Sequence, residues 1–179
     1  MTAYIALLRG INVGGHNIIK MADLKNLLEK NGLHHVKTYI QSGNVLFHSE
    51  EATEVLNRRL EAEIESVFGF RVPVILRTAS EWEQIIASCP FSFDTLLEGE
   101  SIHVSFLEGV PSQEGLNQLH IFKSDIDEFK IEGKNIYLYF RQSIRKSKLA
   151  VHLQKIGVQG TVRNWKTVMK LAAMAEEVR

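Results

Sequence analysis

Residues 4–8, Tyr-Ile-Ala-Leu-Leu, form an unbroken apolar run that stops at Arg9 and passes directly into Gly10-Ile11-Asn12-Val13-Gly14-Gly15. An apolar segment this short and this continuous suits a strand buried on both faces better than an edge strand. The periodicities that follow narrow the fold further. Met21, Leu24, Leu27 and Leu28 recur at helical spacing before Asn31-Gly32 supplies a stop. Residues 36–40 and 45–48 read as two strands joined by the turn Gln41-Ser42-Gly43-Asn44. Helical spacing returns in Val55, Leu56, Leu60, Ile64, Val67 and Phe68, read as one apolar face ended by Gly69. Residues 72–76 read as a strand that lies at an edge or has Pro73 at its beginning, because proline donates no ladder hydrogen bond. Thr78-Ala79-Ser80-Glu81 is a capping box opening a short helix with Trp82, Ile85 and Ile86, which Pro90 stops. The order β-α-β-β-α-β is the split βαβ, or ferredoxin-like, arrangement.

The rest of the chain repeats that order. Residues 102–107 form a strand, residues 111–119 a helix weakened by Gly115, and residues 127–131 and 135–140 a hairpin about Glu132-Gly133-Lys134. Ile144, Leu149, Leu153 and Ile156 line one helix, a short strand runs near residues 160–162, and a last helix covers residues 165–178. No residue-level repeat is visible between the halves. The expected class is α+β, two ferredoxin-like (βαββαβ) halves whose antiparallel sheets carry helices on one face. Residues 1–89 make the first half, 90–100 a connection, and 101–179 the second half with its C-terminal helix.

A chain of 179 residues, 45% of them hydrophobic, has the material for a substantial core. Its net charge of zero argues against a dedicated nucleic-acid binder. The charge is unevenly spread: residues 90–140 carry three basic groups against nine acidic ones, and residues 141–179 nine basic against two acidic. Mutual neutralisation of these blocks is the expected use, with anion binding by the basic block the alternative. The N-terminal apolar run is too short for a signal peptide, and no stretch is long enough to span a bilayer. Cytoplasmic residence without a membrane partner follows as the expectation. Cys89 stands alone, and no basic neighbour in sequence would lower its pKa, so it reads as a structural thiol.

Three polar motifs stand out. Gly10 to Gly15 has the G-x-x-x-x-G spacing of a phosphate loop, but His16 and Asn17 occupy the places where that motif needs Lys and Ser or Thr. With neither the phosphate-binding ammonium nor the magnesium-binding hydroxyl, nucleotide hydrolysis is not expected. A simpler anion site survives, built from Gly14 and Gly15 amides with donors from Arg9, Asn12, Asn17 and Lys20. The alternative is a plain tight turn with Arg9 paired to a carboxylate. In a split βαβ unit the central first and third strands run antiparallel, which puts the Arg9 loop and the Gln41-Ser42-Gly43-Asn44 turn at one end of the sheet. The two loops can therefore share a site that includes Gln41, Ser42 and Asn44. The third motif is Arg163-Asn164-Trp165-Lys166-Thr167, where Asn164 caps the last helix and its free amides, with Lys170 one turn beyond Lys166, favour an anion. Trp165 serves either as a stacking surface or as a core anchor. The seven histidines show no metal spacing, and the adjacent His34 and His35 are expected to diverge. No catalytic arrangement and no cofactor can be read.

Residues 7–15, Met21-Ala22-Asp23-Leu24, residues 38–44 and residues 161–171 together resemble the bacterial domain of unknown function 1697 family, through R-G-I-N-V-G-G, Q-S-G-N and R-N-W-x-T-V-x-K-L in that order. The resemblance implies duplicated ferredoxin-like halves and no particular activity. The matching motif residues are Arg9, Asn12, Gly14, Gly15, Gln41, Ser42, Asn44, Arg163, Asn164, Trp165, Thr167 and Lys170. Asn17 and Lys20 come from the loop chemistry alone. The functional expectation is binding of a small anionic or phosphorylated ligand by Arg9, Gln41, Asn164 and their neighbours. The alternatives are single-stranded nucleic acid on a sheet face, using Tyr137 and Tyr139, or a non-catalytic protein-interaction module.

Overall fold

The computed structural model describes residues 1–178. The chain divides into two compact units. One comprises Met1–Gln84 together with residues 170–178, and the other comprises Ile85–Met169. Residues 170–178 thus group with the first unit, whereas the order of elements along the sequence places them in the second half.

In the first unit, strands β1 (Thr2–Leu8), β2 (His34–Tyr39), β3 (Asn44–Ser49) and β4 (Val74–Thr78) form an antiparallel sheet in the order β2-β3-β1-β4. Helix α1 (Met21–Lys30) links the first pair and α2 (Thr53–Phe68) the second. Alternation along β1 sends Tyr4, Ala6 and Leu8 into a core with Leu24, Leu27 and Leu28 of α1 and Leu56, Leu60 and Ile64 of α2. Val55 and Val67, expected on the apolar face of α2, are instead exposed. Gly69 ends α2 in the left-handed conformation. Pro73 precedes the edge strand β4, where its missing N–H removes no ladder bond, and its carbonyl accepts from the Arg9 N–H at 3.0 Å. Helix α3 (Ala79–Ala87) opens on the expected capping box: Glu81 N–H donates to Thr78 Oγ1 at 3.1 Å, and Thr78 N–H donates to Glu81 Oε2 at 2.7 Å.

The second unit repeats the plan. Strands β5 (Ser101–Leu107), β6 (Asp127–Glu132), β7 (Asn135–Phe140) and β8 (Gly160–Asn164) are ordered β6-β7-β5-β8, with α4 (Gln113–His120) after β5 and the first residues of α6 (Trp165–Glu177), up to Met169, after β8. The helix expected over residues 144–156 is broken into a 3-10 turn (Ile144–Lys146), α5 (Lys148–His152) and a second 3-10 turn (Leu153–Lys155). Ser147 causes the break. Its hydroxyl accepts from Ala150 N–H at 3.0 Å, capping α5, and donates to the buried Asp127 carboxylate at 2.9 Å. Gly115 does more than weaken α4: a β-carbon there would collide with the Ile156 carbonyl oxygen, so only glycine permits this approach.

Strand register exposes a residue-level correspondence between the halves that is not visible in the letters. Leu7 pairs with Asn44 as Phe106 pairs with Asn135, and Ile5 with Arg77 as Val104 with Arg163. The strand ends match too. Leu8 N–H bonds to the Gly43 carbonyl and Leu107 N–H to that of Lys134, while Arg9 and Glu108 donate to Pro73 and Gln159 respectively. Both β4 and β8 end in a buried arginine whose Nη1 donates to the preceding carbonyl, at 3.0 and 3.1 Å, and then a helix cap, Thr78 or Asn164. The halves are versions of one module.

Candidate functional site

Asn12 organises the loop after β1. Its Nδ2 donates to the Ile19 carbonyl at 3.0 Å and to the Gln41 carbonyl at 2.7 Å, its Oδ1 accepts from Ile19 N–H at 2.9 Å, and its own N–H donates to the Asn17 carbonyl at 3.1 Å. Asn12 sits at φ 56°, which asparagine tolerates better than most residues. Between these ties, Val13 and His16 close a tight turn through Gly14 and Gly15, whose φ angles of 58° and 77° make glycine the natural occupant. The Gln41 turn therefore does meet the Arg9 loop. Gly43 seals the contact at φ 90°, since a β-carbon there would lie 2.8 Å from Ile11 Cδ1 and 2.9 Å from Leu8 Cβ.

This arrangement sorts the expected ligand-binding residues. Asn12 is spent on holding the loops. Asn44 is fully buried, its Nδ2 donating to the Tyr39 carbonyl at 2.9 Å and to Ser42 Oγ at 3.0 Å, so it closes the β2–β3 hairpin. Asn17 has Nδ2 on the Gly10 carbonyl at 3.2 Å. The side chains of Arg9, Lys20 and Gln41 and the N–H groups of Gly14 and Gly15 make no hydrogen bond or ion pair among the described residues. Arg9 is half-buried, while Gly14, Gly15, Lys20 and Gln41 are exposed. The carboxylate partner considered for Arg9 is absent among the described residues.

The third motif lies across β8 and α6. Asn164 Oδ1 accepts from Thr167 N–H at 2.9 Å, as its cap position predicts. Arg163 is only 7% exposed, its Nη1 donating to Thr161 Oγ1 at 2.7 Å and to the Val162 carbonyl, and burial lowers its pKa to about 10. Trp165 and Thr167 are buried, whereas Lys166 and Lys170 are exposed. Arg77 is the counterpart of Arg163 in β4, equally buried and with its pKa also lowered by burial. An arginine kept at matching buried positions in both halves belongs to the module's construction. Arg163 therefore has a structural position that Arg77 shares.

The aromatic pair considered for nucleic acid is also committed. Tyr137 is 1% exposed and donates to the Ile85 carbonyl at 2.6 Å, its pKa raised chiefly by burial. Tyr139 is buried, donates to Glu100 Oε1 at 2.7 Å, meets Phe91 edge-on and lies under the Arg141 guanidinium. Neither ring presents a face to a base. Arg141 also pairs with Glu100 and Glu128, an instance of the expected neutralisation between the basic and acidic blocks. His34 and His35 do not simply diverge: a register shift in β2 puts His35 at φ 53° and brings its ring to 5.0 Å from His48, the cross-strand partner of His34. His48 Nε2 is buried without a partner, and burial, then His35, the N-terminus and His34, lower its pKa. No group of three or more His, Cys, Asp or Glu able to hold a metal occurs among the described residues. Cys89 has its pKa raised by burial, the opposite of an activated thiol.

The family described as protein of unknown function DUF1697 matches residues 1–137, which include both loops of the candidate site. The chain belongs to this family. Among solved structures it is similar to the conserved bacterial protein SP0830 from Streptococcus pneumoniae, at 26% identity and a TM-score of 0.80, covering 97% of this chain and 98% of that one. A search of curated proteins finds no match. The family assignment agrees with the resemblance carried by the loop motifs, and the structural neighbour shares the α+β fold. No helix among the described residues is long and apolar enough to cross a membrane.

Proposed function

We propose that this DUF1697 member is a cytoplasmic protein that binds a small anionic or phosphorylated ligand where the Arg9 loop meets the Gln41 turn. The supporting observation is the contrast between matching positions in the two halves. Arg9 and Glu108 follow equivalent strands and make the same backbone bond, so the module tolerates either sign of charge there. A cation at position 9 is therefore not required by the fold, and its guanidinium has no intramolecular partner among the described residues. Unpaired Gly14 and Gly15 amides, with the Lys20 and Gln41 side chains, add donors in the same loop pair. An arginine and unpaired backbone amides in one loop favour a phosphate or carboxylate through charge-assisted hydrogen bonds. Calorimetry and thermal-shift screening against inorganic phosphate, phosphorylated metabolites and nucleotides test the reading. Binding that disappears in Arg9→Ala supports it, and binding that survives Arg9→Ala unchanged refutes it.

A further inference from the structure

We infer that the ligand of this site carries an apolar group beside its anionic one. The inference rests on the reading above and begins at Ile40, between β2 and the Gln41 turn. Ile40 adopts φ 48°, a left-handed conformation that is a genuine outlier for a β-branched residue and that glycine or asparagine would occupy with less strain. The peptide before Ile40 is clamped, and so is the peptide after Gln41. Asn44 Nδ2 holds the Tyr39 carbonyl, and Asn12 Nδ2 holds the Gln41 carbonyl. The strain gains no core packing in return, because Ile40 is 49% exposed.

Two further apolar side chains stand at the same hub. Val13 adjoins Asn12, Ile18 lies between Asn17 and Ile19, both bonded to Asn12, and these two are 65% and 63% exposed. Three exposed β-branched residues thus adjoin Asn12 or its bonded partners, in loops that also carry Arg9, Gly14 and Gly15. Strain that survives at a surface position is held by its surroundings and points to use. Here it exposes an apolar side chain in a turn whose next residue, Gln41, keeps an unpaired side-chain amide. The matching ligand is an amphipathic anion, a phosphate or carboxylate bearing an alkyl or aryl group, either free or presented at a lipid surface.

The test compares inorganic phosphate with phenyl phosphate by calorimetry on the full chain, and adds co-sedimentation with phosphatidylglycerol vesicles. Phenyl phosphate is expected to bind about tenfold more tightly, the effect of removing on the order of 60 Å2 of apolar surface from water. Ile40→Asn, which suits the turn, is expected to erase that advantage and leave phosphate affinity unchanged. Equal affinity for the two anions, or an advantage that persists in Ile40→Asn, overturns the inference while the anion site stands. Loss of both anions' binding in Arg9→Ala confirms the site, and indifference of both to that substitution removes it. Vesicle binding that depends on Ile40 identifies the lipid source, and phenyl phosphate binding without vesicle binding identifies the free one.

Discussion

Asn12→Ala removes the three side-chain hydrogen bonds that join the Arg9 loop to Ile19 and to the Gln41 turn, two of them part-buried and one exposed. At about 0.5–1.5 kcal/mol each, with the exposed bond at the low end, they account for about 2–3 kcal/mol. Alanine held at φ 56° adds on the order of 1 kcal/mol of backbone strain. The sum, about 3–4 kcal/mol, corresponds to a fall of roughly 6–16 °C in Tm for a chain of this size if the units melt together. Urea denaturation followed by circular dichroism measures the total. Hydrogen exchange at the Ile19 amide, which donates to Asn12 Oδ1, reports the local part directly. Asn12→Asp keeps that acceptor but removes both donors, so it should retain Ile19 protection while losing stability. A change below about 1 kcal/mol in Asn12→Ala, with Ile19 still protected, would refute the assignment of Asn12 as the structural tie.

Arg9→Ala and Arg9→Glu should each leave stability within about 0.5 kcal/mol by urea denaturation, since Glu108 occupies the matching place in the second half; a larger loss means that Arg9 is structural. Gly115→Ala should destabilise by about 2–3 kcal/mol in the same assay, because the clash with the Ile156 carbonyl exceeds the roughly 1 kcal/mol that alanine gains in a helix. His103 has its pKa lowered to about 4 by burial, with Nδ1 buried and unpartnered. Between pH 6.5 and about 4 the unfolded chain binds the extra proton, so this contribution is fully present above pH 6.5 and is lost as the pH falls, by at most about 1.4 kcal/mol per unit. His103→Tyr, which introduces the side chain that Tyr4 carries at the matching position of the first half, should flatten that part of the stability–pH curve, and an unchanged slope would show that His103 does not titrate this way.

The element order is legible in the sequence because the apolar period switches between two and three to four, and because glycine, proline and capping residues punctuate the changes. Helix faces are less legible. Val55 stands on the far side of α2 from the Leu56, Leu60 and Ile64 stripe, and Val67 falls within that stripe but in the last turn of the helix, so both are exposed, and a list of apolar letters separates neither from the core. The break at Ser147 depends on Asp127, twenty residues away in sequence, whose carboxylate takes the serine hydroxyl. The site is legible in outline, since the antiparallel central strands bring its two loops together. Which donors remain available is not. Asn12 and Arg9 look equally useful as letters, and it is the bonds of Asn12 to Ile19 and to the Gln41 carbonyl, 29 residues away, that show one of them to be engaged. The repeat is hidden because few identities persist. Its signal lies in Leu8-Arg9-Gly10-Ile11 against Leu107-Glu108-Gly109-Val110, which becomes readable once strand register aligns the halves.

The correspondence between halves makes the molecule its own reference. Where both copies agree, as at Arg77 and Arg163, the choice reflects what any βαββαβ module of this kind needs. Where they part, as at Arg9 and Glu108, the shared backbone bond leaves the side chain free to differ, so the difference is not imposed by the strand pairing. Exchanging residues between matching positions is therefore an informative experiment in a single chain. It changes chemistry at one address while borrowing a side chain that already suits the other.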